Sequence, residues 1–348
     1  MVNLSLEIHA ERYFFVRTTP LSCFLILSVY NMGRCLLRLI QTPCFQDNLR
    51  KRYFFMTDDL KSWLLAIRPK TLPAAMGPVL VGSALAFQAG HFQWIPALLC
   101  LCFALLIQIG TNFANDYYDF IKGADTDERQ GPMRMTASGL IPLRRMRLMT
   151  AGVFFVAFLV GLGLLPYGGW WLVAVGVLSI FLGYGYTAGP FPLAYLGLGE
   201  PFVMIFFGWV AVGCTYWVQA GDFSAVVFLA GTGVGALSTN LLVVNNHRDV
   251  ETDIKANKRT LAVRFGRGFS CLEYRVWFAI ALGCVLGMSF LLQSFWLLVP
   301  LAVIPLGLKL CVMMGHPQLG PVYIRMLGKT SVVLILYCLL MSVALLLS

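Results

Sequence analysis

Apolar and polar positions alternate along this chain in long blocks. Hydrophobic stretches run at about 72–88, 94–118, 148–166, 170–187, 200–218, 225–246, 274–293, 296–312 and 331–347, each bounded by Gly, Pro, charged or turn-forming residues. Stretches close to 20 residues, rising about 1.5 Å per residue, match a hydrocarbon core about 30 Å thick. The pattern therefore predicts an all-α, polytopic membrane protein with about nine transmembrane helices. Composition agrees. Of 348 residues, 59% are hydrophobic and 12% charged, against about 25% charged in an ordinary soluble domain. That excludes a disordered, collagen-like or disulfide-stapled secreted chain.

The distribution of charge sets an expected orientation. With a cytoplasmic N-terminus, the outer connections fall near 89–93, 167–169, 219–224 and 294–295, with Ser348 on the same side, and none contains Lys or Arg. All 26 basic residues then lie in or beside cytoplasmic segments, as the positive-inside rule requires. The net charge of +10 is thus a statement about topology rather than about nucleic acid.

Residues 1–55 differ from the rest, being basic with a longest apolar run, Leu21 to Tyr30, too short to span. Met56-Thr57-Asp58-Asp59-Leu60 reads as a helix cap and acidic first turn. Two regions are expected: 1–55, a dispensable basic extension with an interfacial anchor as the alternative, and 56–348, the intramembrane domain. The ten cysteines form no CxxC pair and have no His at metal spacing, so they are expected to pack as small hydrophobes. Gly231-x-Gly233-x-Gly235 follows no strand and reads as close helix packing.

The acidic residues carry the chemistry. Eight of 16 carboxylates fall within Asp116 to Glu128 and Asp249 to Asp253, at the same end of two long apolar helices. On the first helix Asn112, Asp116 and Asp119 share a face, with Asn115 beside them; on the second, Asn246, Asp249 and Asp253 repeat it. Like charges one turn apart repel, and burial at a membrane boundary costs each up to roughly 2.5–3.5 kcal/mol. A cation should offset this, and oxygen-only ligands favour Mg²⁺, which binds through a few carboxylates plus substrate phosphates. Lys122, Arg129 and Arg134 follow the first cluster and Lys255, Lys258, Arg259 and Arg264 the second, in the manner of a phosphate clamp superposed on positive-inside bias.

Asn115-Asp116-x-x-Asp119 and Asp249-x-x-x-Asp253 resemble the paired aspartate motifs of the UbiA superfamily of intramembrane aromatic prenyltransferases. The resemblance runs from about Leu60 to the C-terminus. Arg68 to Leu72, Gly123 to Thr126, Gly131 to Arg134, Ser138 to Ile141 and Lys258 to Arg264 resemble most the branch acting on 1,4-dihydroxy-2-naphthoate. Asn257 stands where Gly is expected before Lys258, and Asn is the next-best residue for a left-handed turn.

The resemblance implies transfer of a polyprenyl chain from polyprenyl diphosphate to that ring, with loss of its carboxylate, giving demethylmenaquinone in a bacterial cytoplasmic membrane. It implies Mg²⁺ held by Asn115, Asp116, Asp119, Asn246, Asp249 and Asp253, the four aspartates being the catalytic set. Lys122, Arg134, Lys258 and Arg264 are the expected diphosphate partners, and Asn112 and Tyr186 the expected pocket residues. The segment Tyr184 to Glu200 resembles the family's inner loop and could form a lid. A 4-hydroxybenzoate or related quinone-ring prenyltransferase is the alternative within the class. The alternative outside it is an ion-coupled transporter, in which acids would line a path near the midplane.

Overall fold

The computed structural model describes residues 59–123, 131–189, 192–316 and 320–348, so the expectation for the extension 1–55 lies outside the described residues. Residues Lys61–Ser348 form one unit. All nine apolar stretches fall on helices: α1 Pro73–Gln88, α2 Trp94–Ile121, α3 Leu143–Leu162, α4 Trp171–Gly185, α5 Gly199–Ala220, α6 Ala225–Arg248, α7 Leu261–Leu292, α8 Phe295–Met314 and α9 Gly320–Leu347.

Seven of these are long and apolar enough to cross a membrane, and up to eight if the bent pair Asp59–Thr71 and Pro73–Gln88 makes one span. That pair bends by 54°, where Arg68 adopts a positive φ of 57° immediately before Pro69. The predicted span at 170–187 is the short apolar helix α4, 15 residues long. Several helices extend beyond their apolar stretches: α9 starts at Gly320 rather than 331, and α7 at Leu261 rather than 274, with a break at Gly266 where φ is 82° and ψ 171°. Hydropathy marks where lipid-facing character ends, whereas the helix continues as long as its buried face finds partners.

α6 sits at the centre, with 72% of its most apolar window buried. Ser224 caps it, its hydroxyl accepting from the Val227 amide at 3.3 Å. Its small residues let neighbours approach. A Cβ on Gly235 would lie 2.7 Å from the Met204 carbonyl oxygen, and one on Gly208 of α5 would lie 2.5 Å from that of Gly231. The glycine triplet is thus a packing face, as expected. Where it meets α5, residues Met204–Val210 widen into a π-helical segment. α7 and α9 close the other side of α6 through Tyr274, Phe278, Leu334 and Tyr337. Cys100, Cys284, Cys311 and Cys338 are buried as free thiols, in keeping with packing roles.

Candidate active site

The C-terminal ends of α2 and α6, with the short helix Val250–Lys255 that follows α6, bring residues of both acidic clusters to one cavity of about 510 Å³. It is bordered by Asn112, Asn115, Asp119, Arg134, Tyr186, Asn246, Asp249, Asp253 and Lys258, and it continues past Phe103, Gly176 and Leu172 into an apolar trench between α2, α4 and α5. A charged end and an apolar end therefore share one space.

At the charged end the carboxylates are neutralised by the chain's own cations. Arg134 Nη2 donates to Asp119 Oδ2 at 2.5 Å, and Lys258 Nζ lies 3.3 Å from Asp119 Oδ1. Asp249 receives both Nε and Nη2 of Arg248, at 2.7 and 2.6 Å. Arg248 is 2% exposed; a charge so buried is tolerable only when paired. Tyr195 joins the set, its hydroxyl 3.5 Å from Asp119 Oδ1. Lys122 and Lys258 stand 4.6 and 4.9 Å from the centre of its ring. Tyr195 is the aromatic ring beside these lysines, and Tyr186, an expected pocket residue, borders the cavity.

The side-chain amides at this end are oriented by neighbours. Asn246 Nδ2 donates to Glu200 Oε1 at 2.7 Å, leaving its own carbonyl oxygen as an acceptor. Thr187 Oγ1 donates to Asn115 Oδ1. Glu200 is 1% exposed and opens α5, where it is the one acidic residue in an otherwise neutral loop and helix start.

Three expected site residues lie elsewhere. Asp116 does not border the cavity. Its carboxylate accepts the amides of Met135 and Thr136 at 3.1 and 2.9 Å, so its oxygens are spent on the loop before α3. Arg264 also points away, donating to the carbonyls of Arg259 and Leu196 at 3.0 and 2.8 Å. It ties the 193–197 segment to the start of α7. Lys122 donates to the Thr187 carbonyl at 2.6 Å, outside the cavity lining. Partial desolvation lowers its pKa, opposed by Asp119 and reinforced by Lys258. Arg129, Asp125, Asp127 and Glu128 lie outside the described residues. Asn257 has φ 56°, the left-handed turn anticipated for it, and the Lys258 amide then donates to the Asp253 carbonyl at 2.8 Å.

Sequence reasoning missed Arg248, Glu200, Thr187, Tyr195 and Gln108. Gln108 had a signal: it is the only polar side chain between Trp94 and Gly110 apart from the thiols. The others had none, because their roles follow from chain crossings rather than from spacing.

The donor set fits Mg²⁺ of the kind that relies on substrate phosphates. Asn115, Asp119, Asn246, Asp249 and Asp253 offer oxygen alone and border one cavity. Among the described residues no three His, Cys, Asp or Glu side chains form a cage by themselves. Mg²⁺ retains waters and takes one or two carboxylates plus phosphate oxygens, so no closed protein cage is required.

Comparison with known proteins follows the same direction. The UbiA prenyltransferase family matches residues 75–317. A 1,4-dihydroxy-2-naphthoate octaprenyltransferase of Mycobacterium tuberculosis is 37% identical over 283 residues, 81% of this chain and 96% of the relative. One of Escherichia coli is 39% identical over 212 residues, 59% of this chain and 69% of the relative. Among solved structures, a UbiA homolog from Archaeoglobus fulgidus bound to GPP and Mg²⁺ aligns with TM-score 0.58 at 15% identity, over 82% of this chain and all of that one. The apo UbiA homolog from Aeropyrum pernix K1 aligns with TM-score 0.59 at 12% identity, over 76% and 94% of the two chains. The chain belongs to the UbiA prenyltransferase family.

Proposed function

We propose that the protein transfers a polyprenyl chain from polyprenyl diphosphate to 1,4-dihydroxy-2-naphthoate, with loss of the ring carboxylate as carbon dioxide, giving demethylmenaquinone in its reduced form. The observation that carries this reading is the single cavity joining a cation-rich acidic end to an apolar trench. A diphosphate with a long hydrocarbon tail has that same polarity. The names of the bacterial relatives supply the acceptor ring.

In this reading Asn115, Asp119, Asn246, Asp249 and Asp253 hold Mg²⁺ against the diphosphate. The metal supplies charge stabilisation for the leaving group. Arg134 and Lys258, already at Asp119, carry part of that charge as the donor's C–O bond breaks and its electron pair leaves with the diphosphate. The ring carbon bearing the carboxylate then forms the new C–C bond to the allylic carbon. Carbon dioxide departs without its bonding pair, which restores the aromatic ring. The apolar trench excludes water that would otherwise capture the allylic cation. Tyr195 and the segment around Thr187 cover the charged end as a lid. The lysine and arginine distribution supports an inner, cytoplasmic position for that end in a bacterial cytoplasmic membrane.

The deciding assay supplies purified membranes with a long polyprenyl diphosphate, Mg²⁺ and either 1,4-dihydroxy-2-naphthoate or 4-hydroxybenzoate, and identifies the lipid by mass. Prenylated, decarboxylated naphthoate with little benzoate product is expected. Robust benzoate prenylation with an inert naphthoate would reassign the acceptor and leave the donor site standing. Ion flux without turnover of either ring would indicate the transporter.

A further inference from the structure

Thr71, Gln108 and Asn112 form a small polar cluster on the wall of the cavity, deeper along α2 than the acidic end. Its hydrogen-bond accounting leaves a specific remainder. The Thr71 hydroxyl donates to the Arg68 carbonyl at 2.9 Å and accepts from Asn112 Nδ2 at 3.1 Å and Gln108 Nε2 at 3.2 Å. Asn112 Nδ2 also donates to the Ile67 carbonyl at 2.8 Å. Both Asn112 amide hydrogens are therefore committed, and the Gln108 amide is turned toward Thr71. Asn112 Oδ1 and Gln108 Oε1 accept no hydrogen bond among the described residues, and neither is a fully enclosed orphan. Both residues border the cavity. Two carbonyl acceptors, held in fixed orientation one helical turn apart, thus face the substrate space.

Such a pair selects against most of what the cavity must hold. A diphosphate offers lone pairs only, and carbonyl oxygens repel it. A hydrocarbon tail offers no donor and would leave both acceptors unpaired, which is costly in a buried site. A ligand with two hydroxyl donors suits them. The two para oxygens of one aromatic ring are separated by about the rise of one helical turn, roughly 5.4 Å.

We propose that Gln108 and Asn112 bind the two hydroxyl groups of a 1,4-dihydroxylated aromatic acceptor, so that the cluster selects a hydroquinone over a singly hydroxylated ring. This rests on the prenyl-transfer reading above and extends it to the acceptor. Accepting hydrogen bonds from both hydroxyls also increases electron donation into the ring, which favours attack on the allylic carbon. The wall anchors the ring from the α2 side, while Asp119, farther along the same helix, addresses the donor.

The test uses full-length enzyme in membranes with polyprenyl diphosphate and Mg²⁺. Three acceptors are compared: 1,4-dihydroxy-2-naphthoate, 1-hydroxy-2-naphthoate and 4-hydroxy-2-naphthoate. In wild type the dihydroxy acceptor should have a KM about tenfold or more below that of each monohydroxy one, because a site built to pair a hydroxyl penalises its absence. Gln108→Leu should raise the KM of the dihydroxy acceptor about tenfold. It should leave the monohydroxy acceptor that lacks the hydroxyl facing Gln108 unchanged, and leave the KM for the donor unchanged. Gln108→Met, closer in shape, should behave the same way and guards against misfolding of the first variant. An unchanged acceptor KM in both variants overturns the inference, as does an equal penalty on all three acceptors or an equal rise in donor KM. A wild-type enzyme inert toward every naphthoate overturns the functional reading and this inference with it. An active wild type with unmoved variants overturns the inference alone.

Discussion

Asp116 and Asp119 stand on one face of α2, three residues apart, yet only Asp119 borders the cavity. Asp119 meets Arg134 at 2.5 Å, while Asp116 accepts the amides of the two residues that follow Arg134. One carboxylate thus fixes the loop, and the loop brings the arginine to the other. Adjacent acids of the same motif have divided into a positioning role and a cavity role.

That division is testable by substitution. Asp119→Asn removes a group facing the substrate and should lower turnover by about a hundredfold, the scale of losing one preorganised electrostatic group. It should also raise the Mg²⁺ concentration needed for half-maximal rate. Asp116→Asn leaves one acceptor for two amides, so Arg134 is misplaced and turnover should fall about tenfold. Its Mg²⁺ requirement should stay at the wild-type value. Equal shifts in Mg²⁺ titrations of the two variants would return Asp116 to the metal site.

Metal removal addresses the whole acidic end. In excess chelator turnover should vanish and return when Mg²⁺ is restored, because the resident arginines and lysine balance the carboxylates but supply no phosphate-bridging cation. Activity that persists under chelation would mean that Arg134, Arg248 and Lys258 suffice to hold and release a diphosphate.

The packing of α6 predicts a purely structural effect. In Gly235→Ala the added methyl would lie 2.7 Å from the Met204 carbonyl oxygen, which is backbone and cannot swing aside. Overpacking of this kind costs about 1–3 kcal/mol. Thermal unfolding in detergent should show a lowered midpoint, whereas Gly152→Ala, with nothing within 4 Å of its added carbon, should leave it near the wild-type value.

These cases show what was legible in the linear chain. Helix positions were, because lipid imposes a long apolar run on every span. Helix lengths were less so: α7 runs back across a break at Gly266 to Leu261, a stretch whose exposed Arg264 and Arg267 a hydropathy reading cuts away. Asp249 ends α6 and Asp253 reaches the cavity from the separate short helix Val250–Lys255, whereas the facing of Asp119 followed from helical spacing. Asp116 has that same spacing and differs only in what the 131–136 loop brings to it. Glu200, Thr187 and Arg248 act through partners 46 and 72 residues away or through a buried neighbour, and local sequence carries no trace of that.

The N-terminal region supports a final prediction. Every residue that borders the cavity lies at or after Leu65, and the family match begins at residue 75. The described part of the first bent helix begins at Asp59, after Met56. Residues 1–55 carry seven of the chain's arginines and lysines and an apolar run too short to span, properties suited to contact with an anionic membrane surface rather than to catalysis. A chain beginning at Met56 should therefore insert and turn over with the KM for both substrates of the full chain. Its yield in membranes could fall without altering those constants if the extension aids targeting. Comparing rates per folded enzyme, with membrane content measured separately, isolates the two effects. An inserted but inactive Met56 chain would make the extension part of the enzyme itself.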